Sequence, residues 1–129
     1  MSDGDGRAAL HGVVVAHGAI ASAMVEAAEQ ITGIRGALAP VSNTGCDRGA
    51  LEERIWAAIG EQASVVFVDL AAGSCLIAVL RRVRERPDVR VVTGVNLAML
   101  VDFLFHRSLP AEEAAAHAAA SGGSAIRVP

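Results

Sequence analysis

Val13-Val14-Val15-Ala16-His17-Gly18 decides how the rest of the chain is read. The apolar run from Leu10 to Ala16 is Val-rich and short, the pattern of a central parallel strand buried on both faces. It stops abruptly at His17. Gly18 follows, and a helical pattern runs from Ala19 to Ile31, with Ile20, Met24, Ala27, Ala28 and Ile31 as its apolar stripe and Gly33 at its end. A titratable imidazole therefore stands at the carboxyl end of a first strand, beside the start of a helix.

The same alternation repeats downstream. Gly36 to Val41 reads as a weak second strand, and Pro40 puts it at a sheet edge. A polar loop, Ser42 to Asp47, leads to a helix over Ala50 to Ile59, with Asp47 as its N-cap and Gly60 closing it. Ser64 to Asp69 is the clearest strand, and it too ends at a titratable side chain. Small residues, Leu70 to Ser74, lead to a helix over Cys75 to Arg84, halted before Pro87. Val89 to Thr93 is a fourth strand. Gly94-Val95-Asn96 turns into an apolar helix from Leu97 to Phe105. Pro110 opens an Ala-rich helix that reaches Ala120. Ser121-Gly122-Gly123 is expected to break it, leaving Ser124 to Val128 as a short last strand.

Strands alternating with helices predict a three-layer α/β/α fold with a mainly parallel sheet. For four βα units with right-handed crossovers the common small arrangement is flavodoxin-like, with strand order 2-1-3-4 plus the short C-terminal strand. In that order the switch point lies between strands 1 and 3, and ligands bind outside their carboxyl ends. His17 and Asp69 then face one crevice.

The bulk properties bound the function. The chain has 129 residues, enough for one domain, expected over 10–129 with residues 1–9 as a disordered tail. Apolar residues make up 53% and aromatics 3%, so the core must be aliphatic. A net charge of −3 gives no electrostatic footprint for nucleic acid. The one basic cluster, Arg81, Arg82, Arg84 and Arg86, reads as the solvated end of a helix, or a surface for a protein partner. No apolar run is long enough to span a membrane. The first residues lack the pattern of a signal peptide, so a cytoplasmic location is expected. Cys46 and Cys75 have neither metal-site nor C-x-x-C spacing.

Together His17 and Asp69 suit a phosphoryl carrier. That chemistry needs a neutral nucleophilic nitrogen, a partner that fixes the tautomer, and donors for the phosphoryl oxygens. His17 offers the nitrogen. Asp69 would accept from the other ring N–H, as the acid does in a Ser-His-Asp triad. Gly73 and Ser74 open a helix whose N–H groups suit a dianion, and Gly18 and Asn96 stand at further turns on the same rim. Neither a metal nor another cofactor is called for. A structural histidine, a helix-capping aspartate and a plain turn are the competing interpretations of the same residues. His11, His106 and His117 lack such a context and are taken as structural or solvent-facing. Glu112 and Glu113 fit the first turn of a helix as dipole partners.

His17-Gly18, Val68-Asp69 with Gly73-Ser74, and Thr93-Gly94-Val95-Asn96-Leu97-Ala98-Met99-Leu100 resemble the enzyme IIA domain of the mannose-type bacterial phosphotransferase system. The resemblance runs from about Leu10 to the C-terminus. It implies a histidine that takes a phosphoryl group from the histidine phosphocarrier protein and passes it to a IIB component, for sugar uptake or for regulation, in association with membrane IIC and IID components and without inserting in the membrane itself. It also implies that Asp69 pairs with His17, that Ser74 belongs to the phosphoryl loop, and that the chain is a homodimer exchanging the strand Ser124 to Val128. Two positions depart from the family's G-G-S-P segment: Ala72 stands for glycine and Cys75 for proline. A thiol at a helix N-terminus is expected to have a lowered pKa, which raises the idea of a redox gate. Two other functions compete. The phosphoryl-donor subunit of a dihydroxyacetone kinase usually has serine where this chain has Gly18. A non-catalytic binding module of the same fold would not need both His17 and Asp69.

Overall fold

Side chains alternate across the central strands, and this divides the core in two. Val14, Ala16, Val65 and Phe67 point to one side of the sheet, Val13, Val15, Val66 and Val68 to the other. Both faces must therefore be covered. The computed structural model of the chain describes residues 8–129 and has the elements that do so. They are β1 (His11–Ala16), α1 (Ile20–Thr32), β2 (Leu38–Ser42), α2 (Arg48–Ile59), β3 (Ser64–Val68), α3 (Ser74–Val83), β4 (Val89–Thr93), α4 (Leu97–Leu104) and α5 (Ala111–Ser124). The strands form one parallel sheet in the order β2-β1-β3-β4, the flavodoxin-like order expected. Helices α1, α4 and α5 cover one face, α2 and α3 the other.

β1 and β3 pair from His11–Ser64 to Val15–Val68, so β1 runs only one residue past the end of β3. Phe67 meets Phe103 of α4 edge to face, with centroids 5.3 Å apart, which fixes α4 against β3. Gly12 is required where it stands: an added Cβ would lie 2.5 Å from Leu38 and 2.7 Å from Phe103. Pro40 is exposed on the edge strand, where its missing N–H costs the sheet nothing.

Several expectations are corrected. In α1 the buried residues are Ala21, Val25 and Ala28, while Ile20 and Ile31 of the expected stripe are exposed. In so Ala-rich a helix two adjacent stripes fit the period, and the one with the smaller residues faces the sheet. Ser121-Gly122-Gly123 does not break α5, which runs to Ser124. Gly122 is buried, and a Cβ there would collide with Met99 and approach Asn96 Oδ1, so this glycine serves a close helix–helix approach. The expected strand over Ser124 to Val128 is absent; residues 126–129 are exposed and unpaired with the sheet. The basic cluster is largely engaged: Arg81 and Arg82 pair with Glu52, Arg82 also with Glu53, and Arg86 with Asp88. The guanidinium groups of Arg82 and Arg86 also lie 5.5 and 5.9 Å from the Trp56 ring centroid, placing Trp56 at the α2–α3 edge. Residues 1–7 of the expected tail lie outside the described residues, and the Ala9 carbonyl accepts from Gln62 Nε2.

Candidate active site

The parallel register delivers His17 and Asp69 to the same rim, one residue beyond the ends of β1 and β3. Asp69 N–H continues the ladder to Val15 O at 3.3 Å, and Val95 N–H reaches Val68 O at 3.0 Å, so the β4–α4 turn closes beside Asp69. Asp69 Oδ2 accepts twice from one residue: from the His17 backbone N–H at 3.0 Å and from ring Nδ1 at 2.8 Å. The imidazole is thus fixed in place and orientation, and its Nε2 is the nitrogen left free. The His17 side chain is 40% exposed, Asp69 only 11%. Asp69 Oδ1 is buried and has no partner among the described residues.

Burial works against a charge on Asp69, but the hydrogen bonds from the His17 backbone and ring outweigh it. Its carboxyl is held below the ordinary carboxylate range. An ionised Asp69 can only accept, so Nδ1–H donates to it, which selects the tautomer with its lone pair on Nε2.

Gly18 has φ of 58° and sits where the β1–α1 turn needs a left-handed residue. Its N–H donates to Asn43 Oδ1 at 3.2 Å and its carbonyl accepts from Ser42 Oγ at 2.7 Å. Arg54 of α2 in turn holds the Ser42 and Thr44 carbonyls with Nη1. Ser42, Asn43 and Arg54 were not singled out from the sequence. The available signal was topological: the loop after β2 must lie beside the end of β1.

Gly73 has φ of 98°, ahead of an α3 N-terminus that has no side-chain cap. The first N–H groups of α3 are therefore offered to solvent or a ligand, with the exposed Ser74 among them. Asn96 is differently employed. Its Oδ1 caps α4 by accepting from Met99 N–H, and its Nδ2 donates to Gly122 O at 3.0 Å. Both ends of the amide are engaged in joining α4 to α5, which differs from the expected phosphoryl contact.

Cys75 is fully buried with Sγ 3.9 Å from His17 Nδ1. Burial pushes its thiol up, and the negative Asp69 adds to the effect. Both effects disfavour a thiolate, opposite in direction to the lowering expected from the helix N-terminus. His17, Asp69 and Cys75 do present ligand-type atoms within 4.8 Å of one another. Ala72 is exposed, so its methyl group is accommodated.

These features define a class: an open parallel α/β domain with a carboxylate-bound imidazole at its topological switch point. The family model of the fructose IIA component of the phosphotransferase system, the mannose-type enzyme IIA family, matches residues 12–120. The chain belongs to that family, whose members are phosphotransferase components. No curated protein matches the chain. Among solved structures it is similar to the component EIIA from Streptococcus agalactiae, with 18% identity, TM-score 0.85 and coverage of 92% of this chain and 96% of that one. It is also similar to the mannose/sorbose-specific IIA subunit from Enterococcus faecalis, with 21% identity, TM-score 0.83 and coverage of 95% and 96%. A sigma-54 interaction domain protein from E. faecalis shares the fold at 16% identity, TM-score 0.78 and coverage of 94% and 96%. At these identities the likeness is one of fold. Among the described residues no helix is long and apolar enough to cross a membrane.

Proposed function

We propose that this chain carries a phosphoryl group on Nε2 of His17, accepting it from the histidine phosphocarrier protein and handing it to a IIB component. The observation that carries this reading is the double hydrogen bond from His17 to Asp69 Oδ2, which occupies Nδ1 and leaves Nε2 as the free nitrogen of a half-exposed ring. Transfer is an exchange between two imidazoles. The His17 Nε2 lone pair forms the new N–P bond as the donor's N–P bond breaks, and the donor nitrogen recovers its electron pair. The His17 Nδ1 proton stays in place, so the ring becomes cationic and the Asp69 charge stabilises it. The uncapped α3 N-terminus with Gly73 and Ser74 would receive the phosphoryl oxygens. Gly18 serves the turn that aims the ring. Asn96 keeps a supporting role at the rim. Exposed Ile20 and Leu70, close in sequence to His17 and Asp69, offer the apolar contact that two successive protein partners need.

The homodimer belongs to the proposal as well. Ile126 and Val128 alternate along an exposed C-terminal segment, as a strand would that completes a second copy's sheet. The setting of the reaction is expected to be cytoplasmic, where the phosphocarrier is found.

Incubation with phosphoenolpyruvate, enzyme I and the phosphocarrier should give an acid-labile gain of one phosphoryl group. The same gain in His17→Ala, or none in the wild type, would sink the proposal. Onward transfer to a IIB partner, rather than to a dihydroxyacetone kinase, separates the two phosphoryl-carrier readings.

A further inference from the structure

Two more histidines meet at a carboxylate on the seam between α4 and α5. Asp102 lies in the last turn of α4 and His106 four residues on, just past the helix end, while His117 and Ser121 are one turn apart on α5. His117 Nδ1 lies 2.9 Å from both Asp102 oxygens. His106 Nδ1 lies 3.5 Å from Asp102 Oδ1 and 2.7 Å from the Asp102 carbonyl oxygen. Ser121 Oγ donates to Oδ1 at 2.8 Å. The two rings stack, with centroids 4.0 Å apart and planes tilted by 33°.

We propose that Asp102, His106 and His117 form a binding site for one divalent transition ion of the zinc class. The spacing carries this. Nitrogen and oxygen ligands at about 2.0–2.1 Å from a tetrahedral ion lie about 3.3 Å from each other. The distances from the Asp102 carboxylate to the two Nδ1 atoms, 2.9 and 3.5 Å, bracket that edge. All three ligand atoms fall within 4.8 Å of one another. The carboxylate is 11% exposed while the rings are 36% and 48% exposed, so an ion can reach a site whose charge is largely desolvated.

The donor set selects the ion. Two imidazoles and one carboxylate suit zinc, cobalt, nickel or copper; calcium and magnesium want more oxygens. Binding moves each ring from its Nδ1–H to its Nε2–H tautomer, which turns both Nδ1 lone pairs toward the ion. His106 gives up its bond to the Asp102 carbonyl, and His117 its bond to the carboxylate. A cleft of about 390 Å³ bordered by His117, Ser121, Ser124 and Arg127 adjoins the site, with room for water at a fourth position. The ion would tie the end of α4 to α5, beside the Asn96–Gly122 bond that already joins them. This site is independent of phosphotransfer through His17.

The test is zinc titration of the untagged full chain by calorimetry, with thermal melting and the spectrum of the cobalt-loaded protein. Expected are one ion per chain, a melting temperature that rises with zinc, and a cobalt spectrum without a thiolate charge-transfer band. His117→Gln and Asp102→Asn should each weaken binding by at least about 100-fold, since even outer-shell partners cost 10–100-fold. Cys75→Ser should bind as the wild type does. Absence of saturable binding would overturn the proposal, as would unchanged affinity in both variants. A thiolate band abolished by Cys75→Ser would also overturn it, since the ion would then sit beside His17.

Discussion

Among the described residues, two Asp–His pairs approach to 2.9 Å or closer and are nearly alike as pairs. Asp69 and His17 approach to 2.8 Å, Asp102 and His117 to 2.9 Å, and both carboxylates are 11% exposed. Their settings differ. Asp69 Oδ2 takes both the ring and the backbone N–H of the same histidine, which locks one orientation. Asp102 shares its oxygens between His117 and Ser121, with a second ring beside them. The first pair stands at the carboxyl ends of two adjacent parallel strands, facing an uncapped helix N-terminus. The second lies between two helices. On the proposed function, an imidazole–carboxylate bond alone does not make a phosphoryl site; the switch point and the nearby anion donors are what the first pair has and the second lacks.

The largest contrast is expected from removing one ring at a time. His17→Ala should abolish phosphoryl acceptance, whereas His117→Ala should leave its rate unchanged, as followed by intact mass after timed incubation. The carboxylates come next. Asp69→Asn should slow acceptance by about 10²–10³-fold, the range for losing one electrostatic partner of the developing charge, with Asp102→Asn as the silent control. Equal slowing by both would erase the distinction between the pairs.

Packing gives a smaller effect. Gly122→Ala forces a methyl group into Met99 beside the second pair and should cost about 1–3 kcal/mol in denaturant unfolding. Gly12→Ala, against Leu38 and Phe103, should cost a similar amount from the sheet side. The pH dependence is smaller again. The Asp69 carboxyl is held low in the folded state, so its contribution is present above the ordinary carboxylate pKa and is lost as pH falls through the depressed value. The stability gap between wild type and Asp69→Asn should therefore close in acid. Cys75 gives the least. With its thiol pushed up by burial and by Asp69, it should alkylate slowly at neutral pH, and peroxide should leave phosphotransfer unchanged. Rapid oxidation of Cys75 with loss of acceptance would restore the redox gate.

Much of this was legible from residues 10–20 and 64–74. A buried Val-rich strand ending at a titratable side chain occurs twice, and the switch-point rule puts the two ends together. What escaped the sequence was what tertiary packing decides. The glycine pair at 122 and 123 looks like a helix break until Met99 is found against it. Asn96 looks like a free rim donor until Gly122 O takes its amide. The Cys75 helix position suggests a reactive thiol, but burial beside a carboxylate outweighs the dipole. The second histidine pair follows helical spacing on each side, Asp102 with His106 and His117 with Ser121, yet only the packing of α4 on α5 brings the two sides together.

The central claim is that Asp69 reserves Nδ1 and leaves Nε2 to carry the phosphoryl group. A long-range proton–nitrogen NMR spectrum of the ¹⁵N-labelled, enzymatically phosphorylated chain tests it directly. The expected result is a phosphorylated Nε2 on His17, with Nδ1 still protonated. A phosphoryl group on Nδ1, or on His11, His106 or His117, would contradict it.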